Sequence, residues 1–140
     1  MRVLVFLALL PLAGCVVPTV VPDLVYSPCR ALGSAEWKAR VEKLPVTRHH
    51  PPLRKWRLIV DGQVTVPSDG YSVSLERGPV EKLRDPVQQI MIRTEGAGEG
   101  DPRTMAVHGE FEALKRYGAV AIRCGDGTVG LIRDVPRIPS

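Results

Sequence analysis

From residue 35 onward the apolar residues recur at every second position, and this pattern constrains the fold more than any other feature of the chain. Trp56, Leu58 and Val60 alternate with Arg57, Ile59 and Asp61; past Gly62, Val64 and Val66 alternate with Gln63, Thr65 and Pro67. Side chains of an extended strand point to opposite faces in turn, so the pattern is that of half-buried strands. Asp61-Gly62 admits two readings, a hairpin turn or a bulge inside one long strand, because the apolar parity is even on both sides. Pro67-Ser68-Asp69-Gly70 is a turn by composition, and Tyr71, Val73 and Leu75 begin another strand. Gly78 to Pro86 reads as charged and turn-forming, Gln88 to Thr94 as a short strand with Ile90 and Ile92 on one side, and the glycine- and acid-rich Glu95 to Pro102 as a loop. Met105, Val107, Phe111 and Ala113 then share one parity, with Thr104, His108, Glu110 and Glu112 on the other. Val120, Ile122 and Cys124 lead through Gly125-Asp126-Gly127 into Val129 and Leu131 of a last hairpin, with Cys124 on the core face.

Ala35 to Leu44 fits two periods. Ala35, Trp37, Ala39 and Val41 alternate as a strand would, whereas Trp37, Val41 and Leu44 suit a helix capped by Ser34 and braced by Glu36 and Arg40. The strand agrees with the rest of the domain. About six or seven short strands broken by Gly, Pro and Asp turns predict an all-β fold, a small antiparallel β-sandwich, immunoglobulin-like or similar, with a small β-barrel as the alternative.

The N-terminus has a different composition. Arg2 supplies one positive charge, and Val3 to Leu12 follows without a charged side chain. A bilayer-spanning helix needs about 20 apolar residues, roughly twice this run, so the segment is a signal peptide and not a span. Leu12-Ala13-Gly14-Cys15 comes next, with small residues before a cysteine whose thiol can be alkylated. In these residues the chain resembles bacterial lipoproteins. The resemblance implies cleavage before Cys15, a diacylglyceryl thioether on its sulfur and acylation of the new amino group. Several acyl chains at about 0.8 kcal/mol per buried methylene make such an anchor effectively permanent. Val16, in place of the aspartate that signals inner-membrane retention in such proteins, implies the outer membrane, facing the periplasm. The expected organisation is a signal peptide over 1–14, a lipidated tether over 15–28 and one β domain over 29–140. Pro18, Pro22 and Pro28 among β-branched residues make the tether extended, although Leu24 to Tyr26 could instead add an edge strand.

With Cys15 given to the lipid, Cys29 and Cys124 remain as one pair in an oxidising compartment. They are expected to form a disulfide across 95 residues.

No catalytic constellation stands out. There is no nucleophile-elbow pattern and no phosphate-binding glycine cluster between a strand and a helix. Asp61, Asp69 and Asp126 each precede Gly in turn-like contexts, where aspartate serves the backbone. The three histidines, His49, His50 and His108, are not spaced as metal ligands, so no metal and no cofactor are expected. Arg48, His49, His50, Arg54 and Lys55 form a basic segment around Pro51-Pro52; it reads as a solvated loop, and as a contact surface it would meet anionic headgroups or an acidic partner. The net charge of +4 does not point to nucleic acid, from which export separates the protein. The expected function is a non-enzymatic binding or assembly module, held to the membrane by its lipid and recognising an envelope protein or polymer through loops or an edge strand. The alternative is an inhibitor of a periplasmic hydrolase or protease, since small disulfide-bonded β lipoproteins resemble periplasmic lysozyme inhibitors; basic lysozymes would be poor targets for a basic domain. An enzyme with a site assembled from distant residues is a third, weaker reading.

Overall fold

A computed structural model describes residues 28–45 and 55–139. The lipobox with Cys15, most of the tether, and Arg48, His49, His50 and Arg54 of the basic segment lie outside the described residues. Within them the chain forms β1 (Gly33–Lys43), β2 (Trp56–Val66), β3 (Tyr71–Glu81), β4 (Val87–Gly96), β5 (Arg103–Glu112), β6 (Ala119–Cys124), β7 (Gly127–Ile132) and β8 (Arg137–Ile138). They build two four-stranded sheets ordered β5-β2-β1-β8 and β3-β4-β6-β7, packed face to face as a sandwich and not closed into a barrel. Beside the strands anticipated from periodicity stands β8, too short to leave a periodic signal.

Neighbouring strands are antiparallel except β1 with β8 and β4 with β6. The β1-β2-β5 order matches the A-B-E part of the immunoglobulin arrangement. In the second sheet β6 lies beside β4 and not beside β3, which makes that pairing parallel.

The inward faces follow the period of two. Leu58, Val60, Val64 and Val66 of β2 meet Ile90 and Ile92 of β4 and Val120 and Ile122 of β6, and all are fully buried. Each such side chain contributes about 1.5–3 kcal/mol relative to exposure. Cys29 and Cys124 are bridged, with Cα atoms 5.3 Å apart, which fastens the segment before β1 to the end of β6. Pro28 already belongs to this arrangement, since its carbonyl accepts from Thr94 N–H at 3.1 Å.

Four local expectations are corrected. First, β2 runs unbroken through Asp61-Gly62, and the bulge lies in its partner: Ala35 faces Gln63 and Lys38 faces Asp61, so Glu36 and Trp37 together oppose Gly62. Second, this extra residue shifts the parity of β1, turning Ala35 outward while Trp37, Ala39 and Val41 turn inward. The strand reading of Ala35 to Leu44 holds to Lys43. Third, Gly78 to Glu81 extend β3, because a bulge between Arg77 and Val80 absorbs the Gly-Pro pair and buried Gln88 donates its side-chain amide to the Gly78 carbonyl at 2.8 Å. Fourth, Val129 and Leu131 are exposed. A shift between Ile122 and Arg123 puts Gly130 opposite Ile122 and leaves Ile132 to enter the core.

All strand ends sort to two poles. Cys29, the 67–70 turn, the 97–102 loop and the 125–126 turn stand at the pole where the N-terminal segment joins; the end of β1, the start of β2 and the 82–86 and 113–118 connections stand at the other.

Candidate functional site

The bulge in β1 shapes a recess between β1 and the chain leading to β8. Glu36 adopts a left-handed backbone conformation (φ 54°), which lets Trp37 swing between the sheets. There the indole lies against two glycines. A methyl group on Gly130 would come within 2.8 Å of Trp37 Cδ1, and one on Gly62 within 2.6 Å of Cδ2. Only glycine leaves room for the ring on both sides. The indole N–H donates to Ser34 Oγ at 3.0 Å, so its polar atom is satisfied locally.

Trp37 forms one wall of a cleft of about 600 Å³ between β1 and the segment from Leu131 to Pro136. Lys38 and Arg133 are exposed at its rim, and Leu131, 47% exposed, presents an apolar side chain there. Ala39, only 6% exposed, lies at its floor, where β8 does not pair with β1. Val41 N–H donates to the Pro136 carbonyl at 2.9 Å, and β8 pairs with β1 only at Val41 and Glu42. Pro136 has no N–H with which to continue this ladder toward Ala39. The strand alternation turns the Ala39 amide and carbonyl to the same side as those of Val41, into the cleft.

The outer face of the first sheet carries a closed ring of ion pairs. Glu42 meets Arg40 at 2.8 Å, Arg40 meets Asp61 at 3.1 Å, Asp61 meets His108 at 2.6 Å, His108 meets Glu110 at 3.3 Å, Glu110 meets Arg57 at 2.9 Å and Arg57 returns to Glu42 at 3.2 Å. Ile59, between Arg40 and Glu110 in register, sits at its centre and is only 2% exposed on this solvent side. The hydrogen bond to Asp61, then that to Glu110, raises the pKa of His108 above its ordinary value. The His108 bond, supported by Arg40, lowers Asp61, and Arg40 followed by Arg57 lowers Glu42. With its opposite charges matched around an apolar centre, the ring is a clasp across three strands, and it offers no unpaired nucleophile or base.

Of the residues singled out by sequence, Cys29 and Cys124 are brought together as the disulfide. Lys55 is exposed immediately before β2. His108, considered only as a metal ligand, is committed to Asp61 and Glu110. Among the described residues no group of three or more His, Cys, Asp or Glu side chains could hold a metal ion, and no helix is long and apolar enough to cross a membrane. The cleft residues Leu131, Arg133 and Pro136 were not legible as a site, since only the crossing of the chain from β7 to β8 brings them beside Trp37. Pro136 was the one available signal, as a proline that ends pairing.

Fold and site together define a small disulfide-bonded β-sandwich domain with an edge cleft. Comparison with protein-family models, with curated proteins and with solved structures finds no match.

Proposed function

We propose that this protein is a lipid-anchored envelope lipoprotein whose sandwich is a non-enzymatic binding module. Its Trp37 cleft takes an extended segment of an envelope protein. The observation that carries the reading is the stretch of β1 at Ala39 that β8 leaves unpaired, at the floor of a cleft lined by the apolar Trp37 and Leu131, the cationic Lys38 and Arg133 and the acidic Asp134. A free strand edge supplies paired backbone donors and acceptors to an added strand, and flanking side chains select its sequence. Lys38 and Arg133 together outweigh Asp134 there and favour a segment with a net negative charge. The anchor rests on Leu12-Ala13-Gly14-Cys15, and Val16 supports outer-membrane placement facing the periplasm.

The test is photocrosslinking in living cells from a reactive amino acid at Leu131, with the same group at Ser74, exposed on the outer face of the other sheet, as control. The expected result is one dominant envelope protein captured from Leu131, not from Ser74, and lost on Lys38→Glu/Arg133→Glu or on Cys15→Ala. Identical scattered capture from both positions would reject the cleft as the working surface.

A further inference from the structure

The pole remote from Cys29 carries two exposed leucines on neighbouring loop tips. Lys82-Leu83-Arg84 lies in the β3–β4 connection and Leu114-Lys115-Arg116 in the β5–β6 connection. Leu83 is 61% exposed and Leu114 40%. Both tips are held firmly. Leu83 N–H donates to the Glu81 carbonyl at 2.9 Å, Leu114 N–H to the hydroxyl of Tyr117 at 2.9 Å, and Tyr117 itself is buried in the core. The loops also touch each other, through Gly118 N–H to the Pro86 carbonyl at 2.9 Å and Arg116 to Asp85 at 3.6 Å. Apolar tips fixed outward in this way do not serve the core.

Charge divides along the same axis. Lys43 and Lys55, at the adjoining ends of β1 and β2, add to the cations of the two loops, which together outnumber Glu81, Asp85 and Glu112 at this pole. The opposite pole carries Asp69, Glu99, Asp101 and Asp126 against Arg30, Arg103 and Arg123. An anionic surface therefore attracts the Leu83 and Leu114 end of the domain more than the other.

We infer that the Leu83 and Leu114 tips with their basic rim form a docking surface for an anionic lipid bilayer. The leucines enter the acyl boundary and the lysines and arginines meet the headgroups, as apolar side chains rimmed by cations do at membrane interfaces. The inference stands on the loops alone; only its relation to the anchoring membrane rests on the proposed lipid at Cys15. The reach allows the same membrane to be contacted: residues 16–28 span at most about 45 Å when fully extended, and an 11-residue strand measures about 36 Å at about 3.3 Å per residue.

The test uses the full chain carrying Leu83→Trp or, separately, Leu114→Trp. The apolar N-terminal run can itself bring the chain to vesicles, so the readout is local: emission of the added indole, corrected for the parent protein, and its quenching by brominated lipid. Vesicles of phosphatidylcholine with and without phosphatidylglycerol are compared with soluble polyphosphate. The expected result is a blue shift with bromolipid quenching on vesicles containing phosphatidylglycerol only. Each basic residue near such a surface is worth about fivefold in binding, so Lys82→Glu/Lys115→Glu should weaken the response by about 25-fold or more. Three outcomes overturn the inference: an indole that stays in water on every vesicle, equal insertion without anionic lipid, or a response to polyphosphate without bromolipid quenching. None bears on the Leu131 crosslinks, so this inference and the cleft reading fail separately.

Discussion

Replacing Gly62 by Ala tests how the bulge, Trp37 and the two glycines depend on one another. The new methyl group would overlap Trp37 Cε3 and stand 2.6 Å from Cδ2, where favourable carbon contacts lie at about 3.5–4.0 Å. The ring must therefore retreat by more than about 1 Å. It cannot do so freely, because Gly130 closes the other side, with its own added methyl only 2.8 Å from Cδ1. Gly62→Ala should then cost about 1–3 kcal/mol, the usual range for overpacking a filled site. Trp37→Ala should cost about 2–4 kcal/mol, below the value for a fully enclosed tryptophan because this one is half-buried. In the double variant the methyl group occupies space that the indole has left, so Gly62→Ala should cost less than about 0.5 kcal/mol there. Urea unfolding of the four proteins, followed by far-ultraviolet circular dichroism, gives the cycle. Equal costs of Gly62→Ala with and without Trp37 would refute the argument and place the penalty in the β2 backbone.

Cys29→Ser/Cys124→Ser should lower the unfolding free energy by about 3–5 kcal/mol, since the bridge closes a loop of 95 residues; equilibrium denaturation measures it, and a loss under about 1 kcal/mol would contradict the loop-closure account. The ion ring predicts a pH dependence. His108 is raised from 6.5, so its contribution is fully present below that value and is lost as pH rises through the higher folded pKa; Asp61 and Glu42 are lowered from 3.8 and 4.5, so theirs are present above those values and are lost as pH falls through the lower folded pKa. His108→Ala should therefore be less destabilising at pH 8 than at pH 6, by a few tenths to about 1 kcal/mol for so exposed a pair. Urea titrations at the two pH values check the sign, and a His108→Ala cost that grew with pH would overturn it.

The sandwich was legible because its determinants are local: the inward parity of Leu58, Val60, Val64 and Val66 survives any choice of partner strand. The disulfide was legible through compartment and cysteine count, without geometry. What escaped was register. Alternation placed Arg57, Asp61, His108 and Glu110 on solvent faces, but their closure into one ring needs Ile59 opposite both Arg40 and Glu110, a fact of β1-β2-β5 pairing across distant parts of the chain. The bulge escaped for a related reason. Apolar parity in β2 was continuous, so the sequence around Gly62 marked an irregularity without saying which strand contained it. Val129 and Leu131 share one apolar parity in the last hairpin, and the β6–β7 shift, which sequence does not mark, leaves Leu131 exposed at the cleft.

Glu36 shows what that shift in β1 costs. A bulge of this kind usually places glycine at the left-handed position, because a side chain there crowds the following carbonyl. Glu36 holds φ 54° with a full side chain and is exposed, so no burial offsets the strain. Glu36→Gly should then stabilise the domain by about 0.5–1 kcal/mol, the relief of an αL residue less the added entropy of an unfolded glycine. Denaturant unfolding measures the change, and Trp37 emission reports whether the indole keeps its place between Gly62 and Gly130. A stabilised variant with unchanged emission supports a strained bulge that exists to seat Trp37. A variant destabilised by more than about 1 kcal/mol would mean that the Glu36 side chain holds the bulge together, and the argument from backbone strain would fail. Capture from Leu131 separates the remaining roles: if the cleft at Ala39 depends on the bulge alone, Glu36→Gly leaves crosslinking intact, whereas loss of capture with unchanged emission assigns the carboxylate to the partner's recognition.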